Sequence, residues 1–143
     1  MIQNYSQWDS AAPLGDEAQT DIRSAEDVLT ARRVGRLCAI AAGFGGPEVS
    51  LLTAAISEVA RNIVEHAKSG TVIVRMMEQD GRKGLRIIAI DHGPGIPDIE
   101  LATEFGLSPR VGLPGAKLLV DEFEIISSAR GGTTITMTKW VSH

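Results

Sequence analysis

Hydrophobic residues in the first half of the chain recur at the three- and four-residue spacing of helices, in two blocks separated by a glycine cluster. The first block starts after Ser24, which has Asp27 three positions later as in a capping box, and it runs to Gly43. The second starts at Pro47, a residue suited to the first turn of a helix. Its apolar stripe comprises Val49, Leu52, Ala55, Ile56, Val59, Ala60, Ile63 and Val64. The pattern predicts two helices, the second long and largely buried.

The second half of the chain changes to short apolar and β-branched runs, which are typical of strands. Thr71–Met77 and Leu85–Ile90 are predicted to form one hairpin, with the dipeptide Asp80-Gly81 in its turn. Phe123–Ser127 and Thr133–Thr138 are predicted to form a second hairpin. The pattern thus predicts two pairs of strands after the two helices.

Weaker patterns mark the segments before and between these elements. Residues 97–102 suit a short helix that begins at a proline, 104–111 a loop, and 112–120 a helix preceded by glycine. Residues 1–15 show neither period and are predicted to be a loosely ordered lead-in or an edge strand. Residues 16–143 are then expected to form a single domain.

Composition and charge exclude several classes of function. The chain has 143 residues, 43% of them hydrophobic, which suits one globular domain. Its net charge of -4 and the lack of a dense Lys/Arg block argue against nucleic acid as a partner. No apolar run approaches the roughly 20 residues that span a bilayer, and no leader pattern opens the chain. A cytoplasmic protein without a membrane partner is therefore expected. The single cysteine, Cys38, excludes an internal disulfide.

Three arginines lie on or near the side of the first helix opposite its apolar stripe, namely Arg32, Arg33 and Arg36. Charged residues in such a position usually form a solvated helix face. The alternative is that they meet an acidic partner, and the sequence leaves both interpretations open.

Two polar residues interrupt the apolar stripe of the second helix. Glu58 and Asn62 are four positions apart and therefore project from the same face. The amide oxygen of Asn62 suits Mg²⁺, and the carboxylate of Glu58 can accept a proton. An ordinary helix surface is the alternative. His66 follows without a second imidazole or cysteine at ligand spacing, so it is interpreted as a helix-terminal residue.

A glycine-rich turn, Asp91–Asp98, follows the strand that ends at Ile90. A carboxylate at a strand end, beside two close glycines, can accept a hydrogen bond from the exocyclic amine of a purine. A structural turn is the alternative, because many turns contain Asp-x-Gly-x-Gly. Further along, Gly112 precedes a helix whose free N–H groups favour phosphate.

These features occur in the order found in a known superfamily. The helix with Glu58 and Asn62, the strand-end glycine motif, the glycine-led helix and the Gly132-Thr133 strand start resemble the motifs of GHKL ATP-binding domains, in which they are called the N box, the two glycine boxes and the terminal Gly-Thr. Four stretches look like the RsbT-type switch kinases of bacterial partner-switching systems, relatives of the anti-sigma-factor serine kinases: Ala55–Asn62, Asp91–Glu100, Gly112–Gly115 and Val120–Ile125. The resemblance extends over about residues 22–138.

The resemblance implies an α/β two-layer sandwich of the Bergerat type, in which helices cover one face of a mixed, mostly antiparallel sheet. ATP would lie between the second helix and the lid loop. Asp91 would receive the adenine amine, with Thr133 close by, and Ile96 would pack near the base. Gly93 and Gly95 would let the backbone approach the nucleotide.

On the phosphate side, the resemblance implies ATP with Mg²⁺ as cofactors. Asn62 would coordinate the Mg²⁺, and Glu58 would be the base that takes the proton of the attacking hydroxyl. The backbone of Gly112 would contact phosphate. Arg61 and Lys117 are further candidates for phosphate contacts.

The implied function is an ATP- and Mg²⁺-dependent serine/threonine protein kinase that phosphorylates a STAS-domain antagonist protein and exchanges binding partners. A downstream phosphatase, a sigma factor or another regulator is a further candidate partner. A homodimer is also compatible with this class.

The second glycine box departs from the family's longer Gly-x-Gly-Leu-Gly run, because Ser108–Leu113 contains one glycine, and Pro109 lacks an N–H donor. Fewer donors can therefore converge on phosphate. The alternative is a regulatory module that sequesters a STAS protein, a sigma factor or another regulator without turnover. A sensor kinase that phosphorylates histidine is a third and weaker interpretation, because the chain before Ile22 leaves little room for a dimerisation helix.

Overall fold

The fold is a five-stranded antiparallel sheet with helices packed on one face, which confirms the two-layer α/β sandwich predicted from the sequence. The computed structural model describes residues 12–93, 113–128 and 132–142. The short helix predicted at 97–102 and the loop at 104–111 lie outside these ranges. In chain order the described elements are β1 (Ala12–Ile22), α1 (Ala25–Ala42), α2 (Gly46–Asn62), a π-helical turn (Ile63–Ala67), β2 (Gly70–Gln79), β3 (Arg82–Asp91), α3 (Leu113–Leu118), β4 (Glu122–Ser128) and β5 (Gly132–Trp140).

The sheet has the spatial order β1-β2-β3-β5-β4, and every pairing between these described strands is antiparallel. The mixed, mostly antiparallel sheet implied by the resemblance is thus purely antiparallel over the residues described. Asp80 and Gly81 have φ angles of 55° and 75°, the left-handed values of a two-residue turn whose twist matches that of its strands. Both predicted hairpins are confirmed.

Helix α1 has the boundaries that its sequence signals predict. Gly43 ends it with a φ of 99°, and the N–H of Gly43 donates to the carbonyl of Ile40 at 3.0 Å. At the other end, the carboxylate of Asp27 accepts from the backbone N–H of Arg23 at 2.8 Å and from the hydroxyl of Ser24 at 3.3 Å. Ser24 itself makes no side-chain bond to a helix N–H, and Asp27 reaches the N–H of Arg23 instead of that of Ser24. The predicted capping box is therefore not formed, although Asp27 does bind the backbone at the start of the helix.

Helix α2 begins with Pro47 in its first turn, as predicted, but its α-helical geometry ends at Asn62. The chain continues as the π-helical turn, which closes with a hydrogen bond from the N–H of Lys68 to the carbonyl of Ile63 at 2.8 Å. A π-turn is wider than an α-turn and is frequent at functional sites. The turn directly follows Asn62, one of the predicted site residues.

The core lies between the helices and one face of the sheet. Leu52, Ile56 and Val59 of α2 are fully buried, and burial of each such side chain contributes about 1.5–3 kcal/mol. A Cβ at Gly35 of α1 would collide with the side chain of Ile56, so the two helices are in close contact at this point. The sheet contributes Val72, Val74, Leu85, Ile87, Ala89, Ile135 and Met137 to the same core.

Strand β1 forms one edge of the sheet and begins at Ala12. Its pairing with β2 shifts register between Pro13 and Glu17, the signature of a bulge at an edge strand. Beyond the bulge, Glu17 lies opposite Arg75, and Nε of Arg75 donates to Oε1 of Glu17 at 2.9 Å. Within the described ranges, no helix is long and apolar enough to span a membrane.

Candidate functional site

Asp91 is the last residue of β3 and is almost completely buried, with 4% of its surface exposed. Its Oδ1 atom accepts two backbone hydrogen bonds, from the N–H of Gly93 at 2.9 Å and from the N–H of Thr133 at 3.2 Å. Asp91 and Thr133 are also register partners in the β3–β5 pair. A buried carboxylate requires such charge-assisted bonds, and they hold it in one orientation at the strand end.

The start of β5 approaches Asp91 so closely that only glycine fits there. Gly132 has a φ of 85°, and a Cβ on it would collide with the carbonyl oxygen of Asp91. At the opposite side of β3, a Cβ on Gly70 would collide with the carbonyl oxygen of Ile90. Glycines on the two neighbouring strands, β2 and β5, therefore allow their backbones to pack closely against the end of β3.

The substitution Gly132→Ala is expected to lower the free energy of unfolding by about 3–5 kcal/mol, because it adds a steric collision to the left-handed backbone penalty. The matched control is Gly81→Ala, since Gly81 has a φ of 75° but nothing within 4 Å of its added Cβ. That control should cost only about 1–2 kcal/mol. Urea denaturation measures both free energies of unfolding. Equal losses in the two variants would show that the contact of Gly132 with Asp91 leaves room for a Cβ atom.

Thr133 places a hydroxyl beside the carboxylate of Asp91. The residue is 2% exposed, and its Oγ1 lies 3.1 Å from Oγ of Ser127, its register partner on β4. Three adjacent strands therefore meet at this point with one carboxylate and two hydroxyl groups. Together these groups can present both donors and acceptors to the edge of a purine.

The end of α2 adjoins the Asp91 cluster through the π-helical turn. A Cβ on Gly70 would lie 2.9 Å from Cγ2 of Ile63 and 3.1 Å from Cα of Asp91, so Ile63 packs next to the end of β3. A Cβ on Gly93 would lie 2.6 Å from Cβ of Ala67. The turn thus brings the helix that carries Asn62 next to the strand that carries Asp91.

Asn62 is buried with 5% exposed, and its Nδ2 donates to the carbonyl of Glu58 at 2.8 Å. This bond fixes the orientation of the amide group. Oδ1 is the atom of that group which can bind a cation or accept a hydrogen bond. No group of three or more His, Cys, Asp or Glu residues that could cage a metal is found in the described part of the chain. Mg²⁺ usually keeps several waters and binds one or two protein oxygens together with substrate phosphates, so a single amide oxygen fits it.

Glu58 and Arg61 form an ion pair on α2, with 3.2 Å between Oε1 of Glu58 and Nη2 of Arg61. Their side chains are 35% and 49% exposed, and an ion pair in such a position contributes at most about 1 kcal/mol. The structure therefore pairs the predicted base with a predicted phosphate contact. The pair is weak enough for either side chain to turn to a bound substrate.

The structure brings the predicted site residues together to different degrees. Gly93 and Thr133 each donate a backbone hydrogen bond to Asp91, while Asn62 and Glu58 lie on the adjoining helix. Lys117 is an exposed residue of α3, which begins at Leu113 and packs against α2. Gly95, Ile96 and Gly112 lie outside the described residues.

Sequence reasoning missed two parts of this site. Ser127 contacts Thr133 only because of the β4–β5 register, and its neighbours along the chain contain no signal for this contact. The π-helical turn was also missed, because its residues continue the helical spacing of α2.

Residues 23–139, which include α2, β3 and the start of β5, match the model of the histidine kinase-like ATPase domain family. The chain belongs to this family. Membership implies the use of ATP, and it is consistent with the buried carboxylate at the end of β3.

Two curated proteins are similar over much of their length. The serine/threonine-protein kinase RsbT of Bacillus subtilis is 42% identical over 132 residues, which cover 90% of this chain and 99% of RsbT. The anti-sigma F factor of Caldanaerobacter subterraneus subsp. tengcongensis is 30% identical over 106 residues, covering 67% of this chain and 73% of that protein. The sequence thus resembles both a named kinase and a named anti-sigma factor of this family.

Solved structures show the same fold. The RsbU and RsbW domains of a Mycobacterium tuberculosis protein match with a TM-score of 0.65 and 27% identity, covering 90% of this chain and 33% of that one. The histidine kinase domain of a blue-light activated kinase from Erythrobacter litoralis matches with a TM-score of 0.51 and 20% identity, covering 78% of this chain and 59% of that one. The second match supports the fold alone.

Proposed function

We propose that this chain is an ATP- and Mg²⁺-dependent serine/threonine protein kinase of a bacterial partner-switching system, acting on a STAS-domain antagonist protein. The observation that supports the nucleotide site most directly is the buried Asp91 carboxylate, which is held by the N–H groups of Gly93 and Thr133. The likeness to RsbT over 99% of that kinase supports the reaction class.

The proposed roles follow from the chemistry of each side chain. Asp91 accepts a hydrogen bond from the adenine amine, with Thr133 beside it. Asn62 offers its Oδ1 to Mg²⁺, which would neutralise charge on the phosphates. Gly95, Ile96 and Gly112 would complete the contacts to the nucleotide.

Glu58 is proposed as the base of the transfer step. The oxygen of a serine or threonine hydroxyl attacks the γ-phosphorus of ATP, and the bond to the bridging oxygen of ADP breaks. The proton of the hydroxyl passes to the carboxylate of Glu58. Arg61, which holds that carboxylate in the ion pair, would be free to contact phosphate once Glu58 meets the hydroxyl.

The substitution Glu58→Gln is expected to lower the rate of phosphate transfer to the STAS-domain protein by about 100-fold, the usual range for loss of a general base. The affinity for ATP should stay within about 3-fold, because the adenine contacts remain intact. Labelled γ-phosphate measures the transfer, and calorimetry measures ATP binding. Glu124→Gln, the same change at an exposed residue of β4, is the matched control.

A binding module without turnover is the second candidate function, and the likeness to an anti-sigma F factor favours it. Such a module would sequester a STAS protein, a sigma factor or another regulator. The wild-type chain then binds the STAS-domain protein but transfers no phosphate to it. Transfer by the wild type that is lost in Glu58→Gln and kept in Glu124→Gln would exclude this second function.

A further inference from the structure

The outer face of α1 exposes large apolar side chains that the core does not use. Leu29, Leu37 and Ile40 are 55%, 60% and 50% exposed. They recur at spacings of eight and three residues, so they lie on one side of the helix, opposite buried residues such as Ala31 and Ala39. An isolated exposed leucine is ordinary, but a set of large apolar side chains on one helix face indicates a contact surface.

Three exposed arginines share this face, namely Arg32, Arg33 and Arg36. In the described part of the chain, none of them lies within 4 Å of an acidic side chain. Like charges three and four positions apart destabilise a helix slightly. This concentration of positive charge occurs in a chain with a net charge of -4. The arginines therefore have no evident role in the stability of the fold.

A groove between α1 and α2 connects this face with the proposed base. One part, of about 460 Å³, is lined by Leu29, the three arginines, and Ser50 and Thr53 of α2. A second part, also of about 460 Å³, shares Leu29 and Arg32 with the first and extends to Glu58. We call the exposed residues Leu29, Arg32, Arg33, Arg36, Leu37 and Ile40, together with this groove, the α1 surface.

We propose that the α1 surface docks an acidic, partly apolar segment of the protein substrate and directs its hydroxyl toward Glu58. The proposal rests on the proposed kinase function. Charge complementarity identifies the occupant, since unpaired arginines attract carboxylates and steer their approach. The groove is continuous with the position of Glu58, where a protein hydroxyl must arrive for transfer.

The same observations favour a protein segment over an extended polyanion. Glu26 is exposed one turn before Leu29 and two turns before Arg33 on the same side of α1, where it would repel a phosphate backbone or an anionic membrane covering the helix. The groove is concave and has apolar side chains at its rim, which suits alternating acidic and apolar side chains of a polypeptide.

The double substitution Arg33→Glu with Arg36→Glu is expected to raise the KM for a STAS-domain substrate protein by at least about 10-fold. Its kcat at saturation and its ATP affinity should stay within about 2-fold of wild type, because neither arginine touches the nucleotide site. The KM of the wild type should rise with salt more steeply than that of the variant. Lys83→Glu, at an exposed site outside the groove, is the control for charge reversal and should leave KM unchanged.

Direct binding of the same STAS-domain protein to each variant, measured by calorimetry, separates this proposal from the kinase proposal. Binding that is lost in the double variant, with no phosphate transfer by the wild type, would support docking and refute the kinase function. An unchanged KM and an unchanged Kd in the double variant would overturn the docking proposal. A change confined to self-association, seen by sedimentation, or to binding of phosphatidylserine vesicles would also overturn it.

Discussion

Replacing Asp91 with asparagine is expected to weaken ATP binding by about 100-fold, the equivalent of losing one hydrogen bond to a charged group and the charge that accompanies it. Oδ1 of Asp91 accepts the N–H groups of Gly93 and Thr133, and the asparagine oxygen can replace it in this role. The new NH₂ group then faces the adenine amine, so that one donor meets another. Calorimetric titration with ATP measures the loss.

Asp121→Asn is the matched control for this prediction. Asp121 also accepts a backbone hydrogen bond, from the N–H of Trp140 at 2.8 Å, but it lies in an exposed position at the other end of β5. We expect this variant to bind ATP with wild-type affinity. If Asp91→Asn bound ATP within about 3-fold of wild type, the adenine site would have to lie elsewhere, since a buried carboxylate acceptor contributes more than that.

Replacing Asn62 with alanine is expected to abolish the Mg²⁺ dependence of nucleotide binding and to lower phosphate transfer by about 1,000-fold, because transfer relies on positioning and charge neutralisation. The substitution removes the proposed ligand oxygen, Oδ1, and also the bond from Nδ2 to the carbonyl of Glu58. The ratio of the ATP dissociation constants with and without Mg²⁺ measures the first effect. A ratio equal to that of wild type would refute the metal role.

Ser57→Ala is the control that separates metal binding from helix stability. Ser57 is 7% exposed on the same helix, and its Oγ donates to the carbonyl of Thr53 at 2.9 Å, four residues earlier, as Asn62 does to Glu58. Both substitutions remove a side-chain bond to the helix backbone and should lower the free energy of unfolding by about 1–2 kcal/mol. Only Asn62→Ala should change the response to Mg²⁺.

The sequence predicted those parts of the fold that depend on neighbours along the chain. The turn at Asp80-Gly81 requires left-handed φ angles that these residue types tolerate, and the hairpin forms there. Gly43 ends α1 for the same reason. The long apolar stripe of α2 predicted a buried helix, and Leu52, Ile56 and Val59 are fully buried. Local conformational preference and hydrophobic periodicity were sufficient for each.

Prediction was less complete at the end of α2. The residues after Asn62 continue the apolar spacing, so the sequence contains no sign that the helix widens into a π-helical turn. The turn fits the space left by Gly70 and Gly93, which belong to elements distant in the chain. Likewise, the ion pair of Glu58 with Arg61 is expected from their spacing of three residues on one helix. Its position in the groove of the α1 surface depends instead on how α1 and α2 pack.

The sequence by itself determined helices α1 and α2, the two hairpins and the family motifs, because these depend on spacing, turn chemistry and the order of residues along the chain. Only the tertiary structure decided that Asp91 accepts a hydrogen bond from the N–H of Thr133, since strand register brings together these residues, which are 42 positions apart in the chain. It also decided that the arginines of α1 share a groove with Glu58. Side-chain contacts between distant elements follow from packing, which no local pattern encodes.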